Sequence, residues 1–409
     1  MDFSLEYTES QEKFAREVRA WLKANAPRNL PTPANPAELT LEEHRKRREF
    51  GRKLGEKGWL APTFPKEYGG GGLTIDESVV LERELDEYDL TIPPYYDVGT
   101  RLAAPAIAVW GTDDQKERLL KPILRGEIIV WQLFTEPEAG SDLAGLKTTA
   151  LRDGDYYVIN GQKIFVGAIH NVDQFWLLAC TDPKGTRHRN LSMFLVPAKL
   201  PGISIAPLDL IAAGGESGTS AGQKNSIFLD NVRVPQTYLI GRENDGWGVA
   251  NSTLEIEHGG AGSVTRNRVV EGFLDYCREN KDVAHRLAQE PELKQVLAEV
   301  FIGAEVLRLF GMRNYWVRHA KRKRSYEGNQ YSYYNKMWGI RLSYHILKVL
   351  GPIALSNDPQ WGPVKGILEQ QQRAGMITAP GGSPEVQKLQ MARRIGIGRS
   401  TKEEAAAAV

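Results

Sequence analysis

Apolar spacing changes period twice along this 409-residue chain, and that double switch limits the folds open to it. Residues 1 to about 130 carry helical spacing. Phe14, Val18, Trp21 and Leu22 fall on one stripe, the i, i+4, i+7, i+8 intervals of an amphipathic helix. Thr74, with Glu77 three residues on, predicts the N-cap and capping box of a second helix that carries on through Val79 to Tyr88. The spacing recurs from Leu102 to Trp110, after which Gly111-Thr112-Asp113 caps the next start.

From about 131 to 240 the period is that of strands. Asp155–Ile159, Gln174–Cys180, Leu191–Val196 and Ser226–Leu229 are short β-branched and aromatic runs, punctuated by Asp153-Gly154, Asn160-Gly161 and Pro201-Gly202. Helical spacing returns after Trp247 and holds to about residue 375, most clearly over Val296–Leu309 and Asn335–Leu350. The basic run Lys321-Arg-Lys-Arg324 reads as a solvated helix end, with a phosphate patch as the alternative, and Lys402–Val409 as a frayed tail. The order predicts an α+β protein: an N-terminal α-helical domain (1–130), a middle antiparallel, barrel-like β-domain (131–240) and a C-terminal helical domain of four-helix-bundle type (241–409).

Charge gives no sign of a nucleic-acid partner, since 52 Lys and Arg nearly cancel 51 Asp and Glu. Two cysteines, Cys180 and Cys277, are too few for a disulfide framework and read as buried thiols. No metal-ligand pattern is present. The first residues lack a basic and then apolar leader pattern, and no apolar run approaches the ~18–20 residues that span a bilayer. A cytoplasmic protein without membrane or nucleic-acid partners is the expectation.

The most specific motif is Thr135-Glu136-Pro137-Glu138-Ala139-Gly140-Ser141-Asp142, within Trp131–Gly145. Its small residues let backbone approach a planar ring and a pyrophosphate, and the Thr135 and Ser141 hydroxyls can donate to ring and phosphate oxygens. This run resembles the flavin-binding signature of the acyl-CoA dehydrogenase family. Ile159-Asn-Gly-Gln-Lys163-Ile-Phe165, Phe228-Leu-Asp-Asn-Val-Arg-Val-Pro235, Leu239-Ile-Gly241 with Gly246-Trp247, Gly111-Thr-Asp-Asp-Gln115-Lys116 and Gly126-Glu127 are also similar to the family, in register.

The resemblance implies the acyl-CoA dehydrogenase fold and FAD-dependent oxidation of the Cα–Cβ bond of an acyl-CoA thioester. A base takes the α-proton and hydride leaves Cβ for flavin N5. It implies flavin contacts for Phe134, Thr135, Gly140, Ser141, Phe165, Gly167, Lys348, Ser383 and Glu385, and substrate contacts for Ser141, Tyr95, Tyr96, Asp97 and His258. The alternative for Tyr95–Asp97, a surface loop after Pro93-Pro94, stays open. An electron-transfer flavoprotein is the implied acceptor, and the assembly a homo-oligomer or a heteromer with a related chain.

The sequence departs from the family at its most consequential point. Gly381, in Ile377–Gln387, stands where many members carry the catalytic Glu. Its backbone N–H can still polarise the thioester carbonyl, but it offers no base. Some members carry the base on the first long helix of the C-terminal domain. Aligned by its glycines, Thr253–Gly262 puts Glu257 at that position. Glu255, two residues away and roughly 200° around a helix, cannot face the same group. Phe165-Val166-Gly167 keeps an aromatic but loses a hydroxyl, Lys348 replaces a Gln, and Ser383 keeps a Thr role while also reading as the N-cap before Pro384. These changes resemble the bacterial branch acting on bulky cyclic or steroid-derived thioesters. Alternatives are a non-catalytic or half-site subunit of a heteromeric enzyme, and an oxidase on the same fold.

Overall fold

The computed structural model describes residues 7–27, 39–88, 90–168, 170–208, 224–258, 267–322, 325–356, 368, 371 and 381–397, with backbone alone for 255–258. The chain forms two compact units, the first running to Ile256 and the second from Glu257 onward, apart from short segments exchanged between them.

The first unit opens with helices α1 (Glu9–Asn25), α2 (Leu41–Glu56) and α3 (Ile75–Asp86). Each begins with a Thr capping box, Thr8 with Gln11, Thr40 with Glu43 and Thr74 with Glu77, so orphan N–H groups at the helix start find side-chain oxygens. Val18 and Leu22 bury against Phe50, Leu54, Trp59 and Leu81, while Phe14 and Trp21 pack at the edge of that cluster. A helical stretch from Gly99 passes into α4 (Ala104–Trp110), and Thr112 caps the turns that follow.

Eight strands make one sheet among the described residues. They are β1 (Val130–Leu133), β2 (Thr149–Asp153), β3 (Tyr156–Val166), β4 (Gln174–Cys180), β5 (Leu191–Pro197), β6 (Ile203–Leu208), β7 (Lys224–Pro235) and β8 (Leu239–Ile240). Their order is β6-β7-β3-β2-β4-β5-β8, with β1 also on β4. Most pairs are antiparallel, but β1 and β2 both meet β4 in parallel. The physical reason is connection length, because the β2–β3 hairpin lies between β1 and β4 and supplies the crossover a parallel pair needs. β4 and β5 are buried almost throughout, which explains their unbroken apolar runs. Helix α5 (Gly246–His258) follows the sheet.

The second unit is helical, with α6 (Arg268–Glu279), α7 (Lys281–Gln289), α8 (Pro291–His319), α9 (Glu327–Leu350) and α10 (Pro384–Arg394) described. Val296, Val300 and Leu307 of α8 bury with Trp338, Leu342 and Ile346 of α9. Both cysteines are free and buried. The basic run begins just past the end of α8, and Lys323 and Arg324 lie outside the described residues.

Candidate functional site

Segment 134–145 leaves the end of β1 and is sewn to β3 and β4 by one buried ion pair. Lys163 occupies a fully buried position on β3, and its ammonium has three acceptors. These are the Glu136 carboxylate at 2.9 Å, the Phe134 carbonyl at 3.0 Å and the Leu178 carbonyl at 2.9 Å. Glu136 in turn accepts from the backbone N–H of Lys147 at 2.6 Å and of Thr148 at 2.9 Å. The Ile164 N–H donates to the Thr135 carbonyl at 2.9 Å, so the segment and the end of β3 run side by side.

Burial pulls the Lys163 ammonium below its ordinary value, and the Glu136 carboxylate beside it opposes that shift. Burial also works against the Glu136 carboxylate, but the Lys163 charge and hydrogen bonds from Lys163, Thr148 and Lys147 outweigh it and hold the group below its ordinary value. With every donor and acceptor of the pair engaged, two charges in the interior are sustainable.

Beyond Lys163 the register of β3 against β7 shifts, and the shift turns Phe165 outward. Phe165 has φ 60°, a left-handed backbone uncommon for an aromatic residue, and the residue is 53% exposed. Gly167 has φ 64°, and a Cβ there would lie 2.2 Å from the Trp131 ring, so only glycine fits. Its carbonyl accepts from the Lys224 ammonium at 3.2 Å. Phe134 is buried, Thr135 half-buried, and Gly140 and Ser141 exposed, with the Thr135 methyl 4.0 Å from where a Cβ on Gly140 would lie. The exposed Phe165, one residue past the Ile164–Thr135 hydrogen bond, and the exposed Gly140 and Ser141 fit a flat heteroaromatic cofactor such as FAD.

The segment's own carboxylates are all engaged. Glu136 pairs with Lys163, Glu138 with Lys147 at 2.7 Å, and Asp142 with Arg187. None of the three is a free base.

The predicted substrate residues of this unit have varied surroundings. Tyr95 is buried, and burial raises its hydroxyl pKa. Tyr96 is half-buried with the Lys224 ammonium 4.7 Å over its ring. Asp97 is buried and accepts from the Val130 N–H at 2.7 Å and the Thr100 N–H at 3.2 Å, tying the helical stretch after Val98 to β1. Burial pushes its carboxyl up to about 6 despite those amides.

In the second unit, Gly381 and Gly382 have φ 63° and 82°, consecutive left-handed residues that favour glycine. Ser383 caps α10, accepting from the Val386 N–H at 3.3 Å, with Pro384 in the first turn. Gln387 is wholly buried and donates to the Gly381 carbonyl at 2.9 Å, while accepting from Asn329 of α9 at 2.7 Å. Glu385 is exposed, and its carboxylate is held below the usual range by its own backbone N–H and then by the Ser383 hydroxyl. Lys348 is exposed in the last turn of α9. Glu255, Glu257 and His258 lie on α5, and their side chains fall outside the described residues.

The Lys163–Glu136 and Gln387–Gly381 pairings are absent from the motif reading. A lysine inside a strand run is a signal for the first, since a buried ammonium requires acceptors. Among the described residues no group of His, Cys, Asp and Glu could hold a metal ion, and no helix is long and apolar enough to cross a membrane.

Sequence profiles of the N-terminal, middle and C-terminal domains of acyl-CoA dehydrogenase match residues 8–127, 132–223 and 244–396. The chain is 31% identical over 405 residues to the acyl-CoA dehydrogenase FadE26 of Mycobacterium tuberculosis, covering 94% of this chain and 96% of that one. The solved ChsE4-ChsE5 complex from Mycobacterium tuberculosis is similar with a TM-score of 0.81 at 29% identity, covering 98% of this chain and 100% of that chain. A structure described as the Tcur3481-Tcur3483 steroid ACAD gives 0.79 at 28% identity, covering 97% and 100%. The chain belongs to the acyl-CoA dehydrogenase family, FAD-dependent oxidoreductases acting on CH–CH groups.

Proposed function

We propose that the chain introduces an α,β double bond into a bulky or cyclic acyl-CoA thioester, with Glu257 as the base. The observation that carries this is Gly381, which brings no side chain to the loop position and adopts φ 63°. The carboxylate must then come from another element, and Glu257 on α5 stands at the family's alternative position.

Bound FAD supplies a two-electron acceptor for the hydride from Cβ. The protein's part is to hold the thioester, polarise its carbonyl through the Gly381 N–H and receive the α-proton on Glu257. Phe134, Thr135, Gly140, Ser141, Phe165, Gly167, Lys348, Ser383 and Glu385 are the proposed flavin contacts. Ser141, Tyr95, Tyr96, Asp97 and His258 are the proposed substrate contacts. The likeness to a steroid ACAD supports a polycyclic acyl group.

We also propose an assembly with a second copy or a related chain. The ChsE4-ChsE5 and Tcur3481-Tcur3483 structures support the related-chain form. On α8, Ile302, Leu309 and Trp316 recur every seven residues and are 58%, 47% and 48% exposed. An apolar stripe at heptad spacing on an otherwise packed helix is suited to a partner helix. Flavin reduction by a cyclic acyl-CoA in the Glu257→Gln variant tests the catalytic reading.

A further inference from the structure

We propose that the buried Lys163–Glu136 pair is the positioning device of the FAD-binding segment, fixing the spacing between Thr135 and the Phe165 ring. The inference rests on the reading of segment 134–145 as the flavin-binding segment.

Three observations converge on the pair. Lys163 Nζ touches both sides of the segment's start, the Phe134 carbonyl at 3.0 Å and the Glu136 carboxylate at 2.9 Å. Its third bond, to the Leu178 carbonyl at 2.9 Å, anchors that start to β4. Glu136 closes the far end by accepting from the N–H groups of Lys147 and Thr148 at 2.6 and 2.9 Å. Residues 136 to 147 therefore form a loop pinned at both ends to one ion pair.

The pinned start also sits against the residue that turns outward. Lys163 is two residues before Phe165, and the intervening Ile164 N–H holds the Thr135 carbonyl at 2.9 Å. A shift of the Lys163 side chain would move Thr135 relative to Phe165. A wholly apolar replacement would take these partners from the Phe134 and Leu178 carbonyls and the Thr148 N–H in the interior, and from the part-buried Lys147 N–H, so the pair does more than fill space. Neither residue touches the cofactor in this scheme. Both act through Thr135 and Phe165.

The test is FAD titration of the deflavinated full-length chain, with its partner chain if assembly requires one, followed by flavin absorbance, reduction potential and apoprotein unfolding midpoint. Lys163→Met is expected to weaken FAD binding by about 10–100-fold, the scale of removing an outer partner of a bound group. It should also shift the potential of the flavin that remains. Glu136→Gln keeps an oxygen for Lys163 and should fold where Lys163→Met does not, with an intermediate loss of affinity. Lys147→Ala removes only the exposed pair with Glu138 and should bind FAD as the parent does. Parent-like FAD affinity and potential in the folded Lys163→Met and Glu136→Gln variants, with only a lowered unfolding midpoint, would overturn the positioning role. A parent protein that takes up no FAD would overturn the flavin-segment reading itself, and the proposal with it.

Discussion

Gln387 holds the Gly381 carbonyl at 2.9 Å from a wholly buried position on α10, and Asn329 holds Gln387 at 2.7 Å. The glycine that lacks a catalytic carboxylate is therefore braced within the second unit by a two-step amide relay. Gln387→Met keeps the volume but leaves the Asn329 amide and the Gly381 carbonyl unpaired. It should lower unfolding free energy by about 1–3 kcal/mol, read from urea titrations, and slow flavin reduction by loosening the Gly381 N–H.

The left-handed backbone of Gly381 sets a limit on rebuilding the usual active site. At φ 63° any side chain is strained, so Gly381→Ala should destabilise the protein by roughly 1–2 kcal/mol in the same titration. Gly381→Glu should carry the same penalty. In the Glu257→Gln background it should recover only part of the lost rate.

Asp97 predicts a pH signature. Its folded pKa of about 6 lies above the ordinary 3.8, so the folded state holds the proton more tightly. Its stabilising contribution is complete below about pH 4 and is lost as pH rises through 6, about 3 kcal/mol in all. Asp97→Asn cannot titrate, so the parent-minus-variant difference in unfolding free energy should fall over this window. A flat difference between pH 4 and 7 would contradict the assignment.

Assembly is predicted to depend on α8. Light scattering should find a dimer or larger, alone or with a related chain. Changing Ile302, Leu309 and Trp316 together to Lys should dissociate it with little loss of secondary structure. A parent that is a stable monomer with full flavin content would contradict this.

Much of the fold was legible because its signals are local. The Thr74 capping box, the Ser383 cap before Pro384, the Val18 and Leu22 stripe and the β4 run each depend on residues a few positions apart. The flavin segment was legible as a motif, but what fixes it was not. Lys163 and Glu136 are 27 residues apart, and Asn329 and Gln387 are 58 apart. No periodicity carries such pairings, which depend on β3 meeting β1 and α9 meeting α10. The parallel pairing of β1 with β4 escaped for the same reason.

The central claim is that Glu257 takes the α-proton because Gly381 cannot. The most direct measurement is rapid-mixing flavin reduction by a cyclic acyl-CoA in the parent, Glu257→Gln and Glu255→Gln. General-base catalysis is worth about 10²–10⁴ in rate, so Glu257→Gln should reduce its flavin slower by that factor, roughly 3–5 kcal/mol of barrier. Flavin content and substrate affinity should be little changed, and Glu255→Gln should match the parent. Reduction of Glu257→Gln at the parent rate would contradict the account, and absence of reduction in the parent with every acyl-CoA tried would favour a half-site subunit instead.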